Sequence, residues 1–129
     1  MATMRVALVS PEREVWSGEA GMVIARTIEG EIGILPGHSP VLGLLLDGSI
    51  VKISPADESE PILAMVASGF FSVAENEVSV LAEQAELGSE IDVDAARQAL
   101  QQAGDLEGED GEVAERRARA RLQAAGHEE

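Results

Sequence analysis

The sequence predicts a mainly β protein with an α-helical appendage: a β domain over residues 1–88 and a helical hairpin over 89–129. Three observations predict it. Short apolar runs in the first part are broken by turn residues roughly every 8–12 positions, the spacing of sandwiches and barrels rather than of βαβ units. No interval between those runs is long enough for a crossover helix. Beyond Gly88 the prolines and aromatic residues disappear and Ala, Gln, Glu and Arg take over, a composition that favours helix.

Taken in order, Val6-Ala7-Leu8-Val9 stops at Ser10-Pro11, and Met22-Val23-Ile24-Ala25 leads to a turn around Glu29-Gly30. Ile32-Gly33-Ile34-Leu35 stops at Pro36-Gly37. The run 41–46 meets Asp47-Gly48, a pair that predicts a hairpin into Ile50-Val51-Lys52-Ile53. A polar loop, 54–61, joins that strand to the run 62–66. Phe70-Phe71-Ser72-Val73 and Val78-Ser79-Val80-Leu81 flank a turn at Glu75-Asn76-Glu77.

In the second part, Asp92-Val93-Asp94 supplies N-cap carboxylates, and Val93, Ala96, Leu100 and Ala103 share one helical face. Gly104 is the expected C′ residue. The acidic, glycine-containing segment 105–111 reads as a mobile turn. A second helix over 112–125 places Ala114, Ala118, Leu122 and Ala125 on one face. Its acids (Glu112, Glu115) lead and its arginines follow, the order the helix dipole favours, and Gly126 ends it. Each stripe carries a single leucine. A buried leucine contributes roughly 1.5–3 kcal/mol and alanine much less, so the hairpin is expected to dock weakly on its own β domain. A weakly docked element can hold two positions; the same residues also fit a frayed acidic tail without a role.

Charge narrows the function. Acids outnumber bases 24 to 9, for a formal net charge of -15. A polyanion such as nucleic acid needs Lys and Arg to displace its counterions, and an anionic membrane surface needs the same, so neither is an expected direct partner. Cysteine is absent, which removes disulfides, thiolate metal sites and thiol nucleophiles and fits a reducing compartment. No run of about 18 apolar residues offers a membrane span, and residues 1–9 lack the apolar core of a signal peptide.

Few residues in the sequence suit catalytic or metal chemistry. His127 falls in a terminal tail expected to be disordered, and His38 lies in Pro36-Gly37-His38-Ser39-Pro40 without the converging donors a metal needs. His38 and Ser39 are adjacent and lack a nucleophile elbow, so a hydrolytic triad is not expected. Gly30-Glu31-Ile32-Gly33 lacks the lysine and Ser/Thr of a phosphate loop. Glu29 and Glu31, two apart, would share a strand face, but they border a turn, where charges are usually solvated, and acids are abundant here. Trp16 beside Val15 reads as core packing. Arg116, Arg117, Arg119 and Arg121 run against the acidic background: they are either a solvated face paired with Glu112, Glu115 and the acidic linker, or a surface that docks on an acidic partner. A free-standing binding module and a small hydrolase are the alternative classes.

The stretch Gly30-Glu31-Ile32-Gly33-Ile34-Leu35-Pro36-Gly37-His38-Ser39-Pro40-Val41-Leu42 closely resembles the signature of the epsilon subunit of bacterial F-type ATP synthases. Val15-Trp16-Ser17-Gly18 is similar to that family's first turn. Gly69-Phe70-Phe71-Ser72-Val73 and the segment 78–86 resemble the end of its sandwich. The matches keep order and spacing over residues 4–88. The resemblance implies a flattened β-sandwich of about ten strands followed by a two-helix hairpin. It implies a non-catalytic rotor subunit, without cofactor or metal, that joins the gamma subunit to the ring of c subunits. Such a subunit couples the proton-driven ring to ATP synthesis. It would sit peripherally on the cytoplasmic face of the bacterial plasma membrane. The hairpin would lie beside the sandwich or extend toward the catalytic alpha and beta subunits and restrain ATP hydrolysis. Glu31 matches the acidic position that faces the c ring, and His38 the histidine near the gamma-facing side. Arg116, Arg117, Arg119 and Arg121 lie where family members meet acidic segments of the catalytic subunits. Some members bind ATP through Ile/Leu-Asp-x-x-Arg-Ala. Here Val93-Asp94-Ala95-Ala96-Arg97-Gln98 keeps the spacing, with Asp94 and Arg97 as its candidate contacts. Both ends of the motif are changed, and Ile91-Asp92 has Ala95 in place of the arginine, which counts against nucleotide sensing. A last helix of about 14 residues would span roughly 21 Å, a short reach for strong inhibition.

Overall fold

The structure, a computed structural model, describes residues 2–127. A mainly β sandwich is followed by two helices. The strands are β1 (Met4–Val9), β2 (Glu14–Thr27), β3 (Gly30–Ile34), β4 (Val41–Leu44), β5 (Ser49–Pro55), β6 (Ile62–Ala74) and β7 (Glu77–Leu87). A 3₁₀ turn (Gly88–Glu90) leads to α1 (Val93–Ala103) and α2 (Gly108–Ala124). The strands lie in the order β1-β7-β6-β5-β2-β3 with β4 on β6, and a β1–β2 pairing closes the sheet on itself. Alternation builds the interior: Met4, Val6 and Leu8 of β1, Val51 and Ile53 of β5, and Val78 and Val80 of β7 all point inward and are buried.

Among the described residues, seven strands stand where the resemblance implies about ten. The difference lies in β2, β6 and β7, which change neighbours along their length. β2 pairs with β1 over 14–20 and with β5 and β3 over 20–27. The runs 62–66 and 70–73 are one strand, β6, which pairs first with β5 and then with β4. It coils at Ser68-Gly69, where φ is 47° and 151°. Across that point the core-facing residues switch from Ala64 and Val66 to Phe71 and Val73. A Cβ on Gly69 would collide with the carbonyl oxygen of Leu81, so only glycine fits this crossing.

Two turns form as read. Glu75-Asn76 connects β6 and β7 with φ of 51° and 63°, the paired positive φ of a two-residue type I′ turn. Ile28-Glu29 connects Thr27 to Gly30 across the β2–β3 hairpin. Asp47-Gly48 does not form the expected hairpin. β4 and β5 do not pair with each other; both run antiparallel along β6, end to end. Gly48, at φ 76°, bends a continuing chain. The loop's donors bond to β6 instead, Leu45 N to Gly69 O at 2.9 Å and Gly48 N to Val66 O at 3.0 Å. Nor are Val15-Trp16-Ser17-Gly18 a turn: they lie within β2, opposite residues 6–8 of β1, and the reversal is at Ser10–Arg13. Trp16 packs on the core as expected.

The helices start and stop for local reasons. The Asp92 carboxylate caps α1 by accepting from Ala95 N at 3.1 Å. Gly104 is the C-cap at φ -66°, right-handed rather than the left-handed C′ residue expected. α2 begins at Gly108, so the second half of the expected mobile turn is its first helical turn. Gly111 is buried there, and a Cβ on it would lie 2.6 Å from Leu106 O, which is why the connection is so tight. The helix has 17 residues rather than 14, about 25 Å at 1.5 Å per residue. Gly126 (φ 88°) closes it, with Gly126 N to Gln123 O at 3.0 Å and His127 N to Leu122 O at 2.7 Å, a Schellman motif. The backbone of His127 thus ends the helix while its side chain is exposed. α2 lies between α1 and the β5–β6 surface. It therefore buries two faces: Ala118 and Leu122 of the expected stripe, and also Ala120 and Ala124. Ala120 packs with Met65 and Ala67 of β6.

Candidate functional site

Two outer surfaces of the sandwich carry side chains that its own folding does not explain. The first is apolar. β4 alternates with Val41 and Gly43 inward and Leu42 and Leu44 outward, 71% and 74% exposed. The large residues are outside because the inward position is taken: a Cβ on Gly43 would lie 2.5 Å from the Phe71 ring. Leu44 stands opposite Phe70, Phe70 opposite Leu81, and Leu81 opposite Val9. This makes one apolar row across four strands. Phe70 and Leu81 are 40% and 38% exposed. The flanking row, Leu42, Ser72, Ser79 and Ala7, is small apart from Leu42, so the wall is smooth. Next to it lies a groove of about 620 Å³ that Pro11, Leu44, Phe70 and Leu81 help to line. Periodicity alone reads these runs as core strands. The signal that could have exposed the wall is Leu42-Gly43-Leu44, where the glycine occupies the inward phase.

His38 lies in the loop that leads into β4. Its loop is tied to the β6–β7 turn by Gly37 N donating to Asn76 Oδ1 at 2.6 Å, and His38 Nδ1 lies 2.7 Å from Ser39 O. Glu31 is elsewhere, on β3 opposite Arg26, with 3.7 Å between the charged groups. Glu29 occupies the turn and Glu31 follows Gly30 at the start of β3 beside it, in line with acids that border a turn. The hairpin tip presents Ile28, 87% exposed, a side chain that the pattern of apolar runs and turns does not mark. Among the described residues, no group of three His, Asp or Glu could hold a metal.

The second surface seats the helices. Arg117 forms a two-pronged ion pair with Asp47, Nε to Oδ1 and Nη2 to Oδ2, both at 2.8 Å. Arg116 Nε donates to the Asp47 carbonyl at 3.1 Å, and Arg121 Nε to Glu86 Oε1 at 2.7 Å. Arg119 reaches a leading acid of its own helix, Glu115, at 3.5 Å. The arginines are thus not a face solvated by Glu112 and the linker, because the bend at Gly48 and the end of β7 bring carboxylates up to α2. Close approach completes the seat. A Cβ on Gly48 would lie 2.9 Å from Arg117 N, and one on Gly88 would collide with Ala124 O. Asp94 and Arg97 are exposed on α1.

The hydrogen bond from Arg117 is the largest influence on the Asp47 carboxyl and holds it below the usual carboxylate range, against the opposing effect of burial. A carboxyl depressed in the docked state favours docking fully above its ordinary value of about 4. That contribution is lost as pH falls through the depressed value. Asp47→Asn is expected to weaken helix docking by about 1–2 kcal/mol, read as faster amide exchange through α2 at neutral pH. Unchanged protection would show that the pair does not hold the helix.

The family model for the ATP synthase delta/epsilon chain, beta-sandwich domain, matches residues 3–88. An ATP synthase epsilon chain from Thermobifida fusca is 55% identical over 127 residues, covering 96% of this chain and 93% of that protein. One from Streptomyces coelicolor is 51% identical over 124 residues, covering 96% of each. Among solved structures, a chain in the Euglena gracilis mitochondrial ATP synthase OSCP/F1/c-ring assembly superposes with a TM-score of 0.82 at 24% identity, covering 98% of this chain and 83% of that one. A chain from the Tetrahymena thermophila mitochondrial central stalk and c-ring gives 0.58 at 18% identity, covering 94% and 92%. At these identities the two structures speak to the fold.

Proposed function

This chain belongs to the ATP synthase delta/epsilon family, and from that premise we propose that it is a non-catalytic rotor subunit of the central stalk, coupling the c ring to the gamma subunit in proton-driven ATP synthesis. The observation that carries the reading is the apolar row Leu44-Phe70-Leu81-Val9, left in water by a chain of net charge -15. Large apolar patches on otherwise charged surfaces mark protein interfaces. Gamma is its proposed occupant, with His38 near the gamma-facing side. The β2–β3 tip, Ile28-Glu29, and Glu31 behind it face the polar loops of the c ring, where a carboxylate accepts hydrogen bonds. The sandwich 1–88 does the coupling and 89–129 the regulation. Membrane attachment is peripheral, through the assembled complex at the cytoplasmic face of the bacterial membrane.

The docked seat supports a regulatory role. Arg116, Arg117 and Arg121 bond to Asp47 and Glu86. When the hairpin leaves the sandwich, those arginines become available to acidic segments of the alpha and beta subunits, where they restrain hydrolysis. The same groups hold both positions, so neutralising the arginines alone cannot separate the two.

The test is reconstitution of the ATP synthase with and without the chain. Its omission should reduce ring attachment and coupled ATP synthesis several-fold, and adding it back should restore both. Equal coupled synthesis with and without the chain would overturn the proposal.

A further inference from the structure

Four of the chain's nine basic residues line one cleft. Arg26 of β2, Lys52 of β5, and Arg116 and Arg119 of α2 surround a space of about 570 Å³ between the sheet and the helix. Its floor includes Ile24, Ile50 and Leu63, and Ser49 and Gln123 add polar groups. One acid, Glu31, lies on the wall, 3.7 Å from Arg26. Lys52 has no carboxylate partner among the described residues; Arg116 donates Nε to the Asp47 carbonyl and acts electrostatically on the Asp47 carboxylate. Glu31 and Glu115 offset Arg26 and Arg119 in part, but four cations against one lining acid leave the cleft net positive in a protein with 24 acids.

We infer that this cleft binds a compact phosphate anion, pyrophosphate in preference to orthophosphate. Guanidinium and ammonium groups converging on one space are the usual recognition set for phosphate oxygens. Pyrophosphate, with more charge and greater length, meets more of the four cations than orthophosphate does. A nucleotide is not the fit: no aromatic side chain lines the cleft on which a base would stack. The site is also separate from Asp94 and Arg97 on α1. Because two cations belong to the sandwich and two to α2, the anion bridges them and holds the helix down. That consequence rests on the docked-and-released reading of the hairpin; the binding itself does not.

Calorimetric titration of the full chain at physiological ionic strength tests it, with pyrophosphate, orthophosphate and ATP as separate arms. Pyrophosphate should bind at least tenfold more tightly than orthophosphate. ATP should bind no more tightly than pyrophosphate. The double variant Arg26→Gln/Lys52→Gln should lose at least tenfold in pyrophosphate affinity while keeping the thermal midpoint of the unliganded protein. No heat with pyrophosphate, an unaffected double variant, or ATP binding tenfold above pyrophosphate would each overturn the assignment. Pyrophosphate should also slow amide exchange in α2, and binding without that protection would overturn the bridge. Loss of phosphate binding with gamma affinity intact would sink this inference alone and leave the rotor reading standing.

Discussion

Replacing Leu44 and Phe70 together by aspartate is expected to weaken binding to the gamma subunit by at least 100-fold while the sandwich stays folded. The two side chains face each other across β4 and β6 and are 74% and 40% exposed, so the isolated protein gives up little packing. Burying a leucine or phenylalanine contributes roughly 1.5–3 kcal/mol each. A carboxylate left unpaired in an interface costs several kcal/mol more. A 100-fold loss corresponds to about 2.7 kcal/mol, well inside that range. The measurement is affinity for immobilised gamma beside the thermal midpoint of the variant alone. A variant that melts normally and binds within a few-fold of the parent would remove this wall as the gamma seat.

Gly88→Ala should release the helical hairpin. Its new Cβ would collide with the backbone carbonyl of Ala124, which has no rotamer to yield, so the end of α2 must move away from the sheet. Overpacking of this kind typically costs 1–3 kcal/mol, and about 2 kcal/mol shifts a docking equilibrium roughly 30-fold. In the isolated protein, amides of α2 should lose protection while those of β6 and β7 keep theirs. In the assembled enzyme, the freed arginines remain intact, so ATP hydrolysis should fall. Normal α2 protection would show that the contact is absorbed locally. Loss of protection with unchanged hydrolysis would show that the released hairpin does not reach the catalytic subunits.

The elements that were legible in the sequence are those made by neighbours. The apolar run of β1, the Glu75-Asn76 turn, the Asp92 cap and the Gly126 stop each depend on a few adjacent residues. What misled was local chemistry overruled from a distance. Asp47-Gly48 has a hairpin's composition, yet its donors are taken by β6 and its carboxylate by Arg117. The acidic linker looked mobile, yet Gly111 lets it close into the first turn of α2.

The sequence by itself determined the class of structure, a β domain with a helical appendage, and, through the stretch 30–42, the family. Only the tertiary structure decided which apolar residues face water and where the arginines lie. The coil at Ser68-Gly69 exchanges the inward and outward phases of β6, and the glycine at 43 turns Leu42 and Leu44 out. Arg117 and Arg121 find their acids 70 and 35 residues away. Pattern along a chain records the period of each element. It carries no term for which partner a distant strand will supply, and that partner sets both the wall and the seat.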